Sequence, residues 1–139
     1  MVKEHLNADN IRYQLANLKQ LTFEVTDACN LRCKYCGYGE FYEDYDKREN
    51  KMMSTDSAKT LLNYLVELWN SSHNVSANRN VYISFYGGEP LLNMPFIETI
   101  VAYINNIHSP YRSFTFSMTT NAILLDRYMD FLVKHEFNI

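Results

Sequence analysis

Cys29, Cys33 and Cys36 are the only cysteines in the chain, and all three fall within eight consecutive residues. An odd, crowded set is not a disulfide framework, so thiols placed this way point to metal ligation or redox chemistry in a reducing compartment. Spacings of three and then two residues let one loop curl its thiolates toward a common point, which suits a cluster or metal that takes one sulfur at each corner. A fourth protein ligand is missing: His5, His73, His108 and His135 lie far away in sequence, with no ligand-like spacing to the cysteines. A closed structural zinc site wants a fourth Cys or His, whereas a four-iron cluster held by three thiolates leaves one iron open to an exogenous ligand. An electron carrier usually saturates its irons with protein thiolates. An open iron–sulfur site, a non-catalytic iron–sulfur or zinc-binding module and three unrelated buried thiols are the readings these residues leave standing.

The rest of the chain alternates between two periodicities. Leu21, Phe23 and Val25 interleave with Thr22, Glu24 and Thr26 at period two, which predicts a strand that runs into the cysteine segment. From Ser54 or Thr55, a plausible cap, Leu61, Leu62, Leu65, Val66, Leu68 and Trp69 recur at helical spacing. Val81 to Tyr86 is β-branched and aromatic and stops at Gly87-Gly88. Asn93 is placed to cap a helix carrying Pro95 in its first turn and ending at Ser109-Pro110. Phe114, Phe116 and Met118 predict a third strand, and Asp126 a cap for a last helix through Val133. Residues 9 to 19 read as a weaker leading helix, which gives an N-terminal helical extension (1–19) ahead of an α/β unit (20–139). Strand and helix repeated three times is the pattern of a parallel sheet with right-handed crossovers, whose ligands gather at the carboxyl ends of the strands.

Each predicted strand ends in an unusual segment. The cysteine loop follows the first, Gly87-Gly88-Glu89-Pro90 the second and Thr119-Thr120-Asn121 the third, so all three fall at one end of the sheet. The glycines permit close backbone approach or positive φ, and the proline holds Glu89 extended, where its carboxylate could take an ammonium. The plain alternative is a turn before a helix. Thr119, Thr120 and Asn121 either serve a ligand or satisfy the loop backbone, and Ser117 shares a sheet face with Thr119 by period two. The acidic, aromatic stretch from Gly37 to Asn50 reads as a solvated loop, with a lid or peptide-contacting surface as the functional alternative.

A formal charge of -3 argues against electrostatic binding to nucleic acid. No run approaches the ~20 apolar residues of a membrane span, and the opening MVKEHLNADNIRYQ lacks the apolar core of a secretory signal. A cytoplasmic chain with no membrane and no nucleic-acid partner is the expectation.

At CNLRCKYC, residues 29 to 36, the sequence resembles the radical S-adenosylmethionine (radical SAM) family, whose signature is C-x3-C-x2-C with an aromatic residue before the last cysteine, here Tyr35. YGGEPLL (86–92) looks like that family's Gly-Gly-Glu-Pro segment, and TTNAILL (119–125) resembles its Thr-Asn-Gly segment, with Ala122 in place of the glycine. The likeness covers nearly the whole chain, from about residue 20 to 137. It implies a (β/α) barrel of six units, of which about three would be present, the chain reaching only the start of a fourth strand at Phe137-Asn138-Ile139. The expectation is therefore a fragment whose own turnover is uncertain. The resemblance also implies that Cys29, Cys33 and Cys36 hold a [4Fe-4S] cluster and that S-adenosylmethionine chelates the fourth iron. Tyr35 would lie near adenine and Gly87, Gly88 and Glu89 near the methionine amine, with Ser117 and Asn121 among the cofactor-binding residues. Reductive cleavage to a 5′-deoxyadenosyl radical and hydrogen abstraction from substrate would follow, with an electron donor such as flavodoxin or ferredoxin. The Cys-Gly-Tyr-Gly continuation looks like peptide- and protein-maturing members, which implies a peptide or protein substrate.

Overall fold

In a computed structural model, residues 6–38, 48–76 and 79–139 are described. The elements run α1 (Ala8–Ala16), β1 (Gln20–Thr26), α2 (Thr55–Trp69), β2 (Arg79–Gly87), a 3-10 turn (Pro90–Asn93), α3 (Met94–Asn105), β3 (Arg112–Met118) and α4 (Leu125–Lys134). Every segment with period two is a strand and every segment with three-to-four spacing a helix. Residues 39–47, most of the acidic aromatic stretch, lie outside the described residues.

The three strands are parallel and lie side by side in chain order, β1-β2-β3. Right-handed crossovers between strands in that order leave the connecting helices on one face, the arrangement of a partial (β/α) barrel. Burial follows the period-two pattern: Phe23, Val25, Ile83, Phe85, Phe116 and Met118 face a core shared with Leu62, Leu65 and Trp69 of α2, Ile97 and Ile100 of α3, and Leu132 of α4. Phe23 stacks on Phe85 with ring centroids 6.1 Å apart and meets Phe96 edge-on at 5.9 Å, geometries favoured by the ring quadrupole.

The other face of the sheet is polar. Thr22, Ser84 and Ser117 stand in register across the three strands. Ser84 and Ser117 hydroxyls are 2.7 Å apart, and Gln20 Nε2 donates to Ser84 at 2.9 Å. The pairing slips by one residue between Glu24 and Thr26, opposite Tyr86 and Gly87, and as a result Val25 and Thr26 are both buried. Such a bulge bends the strand that carries the extra residue.

The helix ends depart from the sequence reading in four places, the first being α1, which stops at Ala16 and not at residue 19. Ser54 caps α2 as expected, accepting from Ser57 N at 3.4 Å. Asn93 occupies the N-cap position of α3 but makes no side-chain cap bond, because its Nδ2 donates instead to Val25 O at 2.8 Å and ties the helix start to β1. The N-cap of α4 is Leu124, and Asp126 sits in the first turn, where a carboxylate favours the positive end of the helix dipole without a cap bond. Helix α3 stops at Asn105, ahead of Ser109-Pro110. The leading helix closes the amino ends of the strands: Asn17 Nδ2 donates to His73 O at 2.7 Å, and the buried Arg112 donates to Ala16 O. At the other edge, Asn138 pairs with Ser117 in parallel, with Met118 N donating to Asn138 O at 2.9 Å, where the sequence places the start of a fourth strand.

Candidate functional site

The carboxyl ends of the three parallel strands bring the three unusual segments together. Gly88 N donates to Thr26 O and Glu89 N to Ala28 O, both at 2.8 Å, which fastens the end of β2 to the chain leaving β1. The glycines are needed for that approach. A Cβ on Gly87, whose φ is +140°, would stand 2.1 Å from Thr26 O, and one on Gly88 would stand 2.2 Å from Ala28 O. Both contacts are with backbone, so the pair serves first to let two strand ends meet.

Glu89 is extended, as its following proline predicts, with φ -139° and ψ 105°. It is wholly buried. Its Oε1 accepts from Thr120 Oγ1 at 2.7 Å and Leu91 N at 3.0 Å, and its Oε2 from Asn121 N at 2.8 Å. Sequence reasoning offers this carboxylate to a ligand's ammonium; in the fold, protein donors hold it on three sides, as a buried carboxylate requires. What no sequence signal gave away is that Thr120 and Asn121 supply two of those donors. Asn121 extends the chain of contacts, donating from Nδ2 to Asn30 Oδ1 at 2.8 Å and toward Cys29 Sγ at 3.8 Å.

Ala122, next in line, has a φ of +65°. A β-carbon there carries the roughly 1–2 kcal/mol penalty of the left-handed region. Ala122→Gly removes it while giving back some unfolded-state entropy, so a net stabilisation of about 0.5–1 kcal/mol is expected in urea denaturation of the variant beside the wild type.

The three cysteines are half-buried free thiols, and each sulfur meets a donor. Leu31 N donates to Cys29 Sγ at 3.4 Å, Tyr35 shares a hydrogen bond with Cys33, and Arg48 Nη2 donates to Cys36 Sγ at 3.4 Å. The bond to Cys33 and the negative charge there push the Tyr35 phenol above its ordinary value. Tyr35 is otherwise exposed. Among the described residues, no three His, Cys, Asp or Glu side chains are drawn together as a ready metal site. The sequence reading has the loop curling its sulfurs to one point. Closing an irregular loop carries an entropy penalty that bonds to a metal, rather than contacts between thiols, would offset.

Arg48 escaped sequence reasoning, because nothing in its spacing links it to the cysteines. So did Tyr38, which donates to Glu24 on the polar face of β1 and is pushed up to about 12 by that bond. A cavity of about 540 Å³ opens beside them, lined by Glu24, Asp27, Tyr38, Lys51, Met52 and Met53. Ser117 lines a smaller cavity of about 310 Å³ shared with Gln20, Thr22, Ser84, Tyr86 and Thr119.

Comparison with known proteins gives the family. The model of the radical SAM superfamily matches residues 23–139. An uncharacterized protein of Methanocaldococcus jannaschii is 37% identical over 78% of this chain and 32% of its own length. A probable GTP 3′,8-cyclase of Methanococcus maripaludis is 32% identical over 80% of this chain and 31% of its own. A radical SAM cyclopropyl synthase of Paramaledivibacter caminithermalis is 27% identical over 85% of this chain and 25% of its own. The chain thus spans a third or less of these relatives. Their names do not support the peptide- or protein-maturing subgroup expected from the Cys-Gly-Tyr-Gly continuation. No helix among the described residues is long and apolar enough to cross a membrane.

Proposed function

The chain belongs to the radical SAM superfamily, and from that premise we propose that Cys29, Cys33 and Cys36 hold a [4Fe-4S] cluster beside which the strand-end segments bind S-adenosylmethionine. Members of the superfamily use both groups. Bound together, they supply one-electron cleavage of the sulfonium and, from it, hydrogen abstraction from a substrate.

The observation that carries this reading is the run of contacts from Glu89 through Asn121 to Cys29, which makes three separate strand ends one rim. The donor set fits the group. Backbone N–H, phenol and guanidinium directed at the three sulfurs suit ligands that carry negative charge. Glu89 holds the second and third segments in mutual position, and Asn121 orients the loop at Cys29. The polar sheet face and the cavity beside Tyr38 leave room for polar ligands on the same side. A low-potential donor such as flavodoxin or ferredoxin would deliver the electron. Two of the three named relatives share ring closure in their names, cyclase and cyclopropyl synthase, which favours a hydrogen abstraction that leads to a new bond within one substrate.

Anaerobic reconstitution with iron and sulfide tests the assignment. The wild-type chain is expected to take up about four irons, with the spectrum of the reduced cluster perturbed by S-adenosylmethionine, and Cys29→Ser, Cys33→Ser and Cys36→Ser are each expected to lose most of that iron. A cluster indifferent to S-adenosylmethionine would favour an electron-transfer module, and a colourless chain binding zinc a structural one.

A further inference from the structure

We propose that Arg48 is a positioning residue for the cluster, a fixed cation on the sulfur of Cys36 that makes the bound cluster easier to reduce. The inference rests on the ligand assignment made above. Arg48 Nη2 donates to Cys36 Sγ at 3.4 Å while Nη1 donates to Leu31 O at 3.0 Å, so one planar guanidinium clasps the loop at two points seventeen and twelve residues away. Its central carbon lies over the Tyr38 ring, 5.3 Å from the centroid, a cation–π contact that helps hold the head group in place.

The platform beneath it is also fixed. Asp27 accepts from Glu49 N and Lys51 N, each at 2.6 Å, Thr26 Oγ1 donates to Lys51 O at 2.7 Å, and Met53 N donates to Val25 O at 2.9 Å. The segment bearing Arg48 is therefore anchored to the bulged end of β1, the same backbone from which the cysteine loop departs. Among the described residues no carboxylate stands within ion-pair distance of Arg48, the ion pairs there being Arg12–Asp9 and Lys51–Glu49. Among the described residues its hydrogen bonds go to the sulfur and the carbonyl. The donors found at Cys29 and Cys33 are an amide N–H, a carboxamide and a phenol, so among the described residues Cys36 is the sulfur with a cationic donor. Reduction adds one electron to the cluster, and a positive charge with an N–H···S bond at a ligand stabilises that more negative state.

The test uses the full chain reconstituted with iron and sulfide, with a mediated redox titration followed by electron paramagnetic resonance. Arg48→Met is expected to keep its iron and sulfide and its circular dichroism, yet show about a tenfold lower ratio of reduced to oxidised cluster at a fixed poise, equivalent to 59 mV for one electron. Arg48→Lys, which keeps the charge, is expected to retain most of the wild-type value. An unmoved midpoint in Arg48→Met, or equal shifts in both variants, overturns this inference while leaving the ligand assignment intact. A wild-type chain that takes up no iron removes the assignment and the inference together.

Discussion

Glu89→Ala is expected to destabilise the chain by about 3–5 kcal/mol, among the largest effects available from one substitution at the rim. The side chain is wholly buried and its two oxygens accept from Thr120 Oγ1, Leu91 N and Asn121 N. Truncation leaves those donors without partners in a dry site and opens a cavity where the carboxylate stood. Glu89→Gln keeps the shape and one acceptor oxygen but sets an amide N–H₂ against a donor, so about 1–3 kcal/mol is expected. Equilibrium urea denaturation checks both. If Glu89 served a ligand alone, both variants would unfold with the wild-type midpoint and lose only S-adenosylmethionine binding.

Gly88→Ala is the second large effect. A methyl there would meet Ala28 O at 2.2 Å, Asp27 O at 2.6 Å and the Ala28 carbonyl carbon at 2.7 Å. No flexible side-chain end is available to give way, so the backbone leaving β1 must shift, and the bonds from Gly88 N to Thr26 O and Glu89 N to Ala28 O are strained or broken. A loss of about 3 kcal/mol or more is expected, together with loss of iron uptake as Cys29 is displaced. Gly87→Ala adds a φ of +140° to a comparable clash and should behave no better. Thermal unfolding beside an iron assay separates the two consequences; a variant with wild-type stability would show that the glycines answer to a ligand and not to the neighbouring strand.

Much of the fold was legible because burial enforces periodicity. Phe23, Val25, Ile83, Phe85, Phe116 and Met118 face one core, and a sheet with one apolar face writes that choice into every second residue. Helix starts were less legible. Asn93 has the side chain of a cap, but Val25 O lies within its reach, and the competing partner is 68 residues away. The same limit applied at the site. Cys29, Cys33 and Cys36 announce themselves by spacing within one loop, and the three strand ends follow from topology. That Glu89 would be the joint between segments, and that Arg48 would reach back to Cys36, depends on pairings 31, 32 and 12 residues long with no period to betray them. Ala122 is an intermediate case: the residue stands where the resemblance leads one to expect glycine, and its φ of +65° shows what that glycine would relieve.

The slipped pairing near the end of β1 sets the phase of everything downstream. Since side chains alternate with every residue, one additional residue reverses the direction in which all later ones point. With Val25 absorbed there, Thr26 turns inward and its hydroxyl accepts from Ala28 N at 3.0 Å, steering the chain toward β2 just before the first thiol. The interval from Phe23 to Cys29 is therefore a gear ratio as strict as the spacing among the thiols themselves. Lengthening or shortening it by one tooth would aim the sulfur loop away from the rim while leaving its own motif intact.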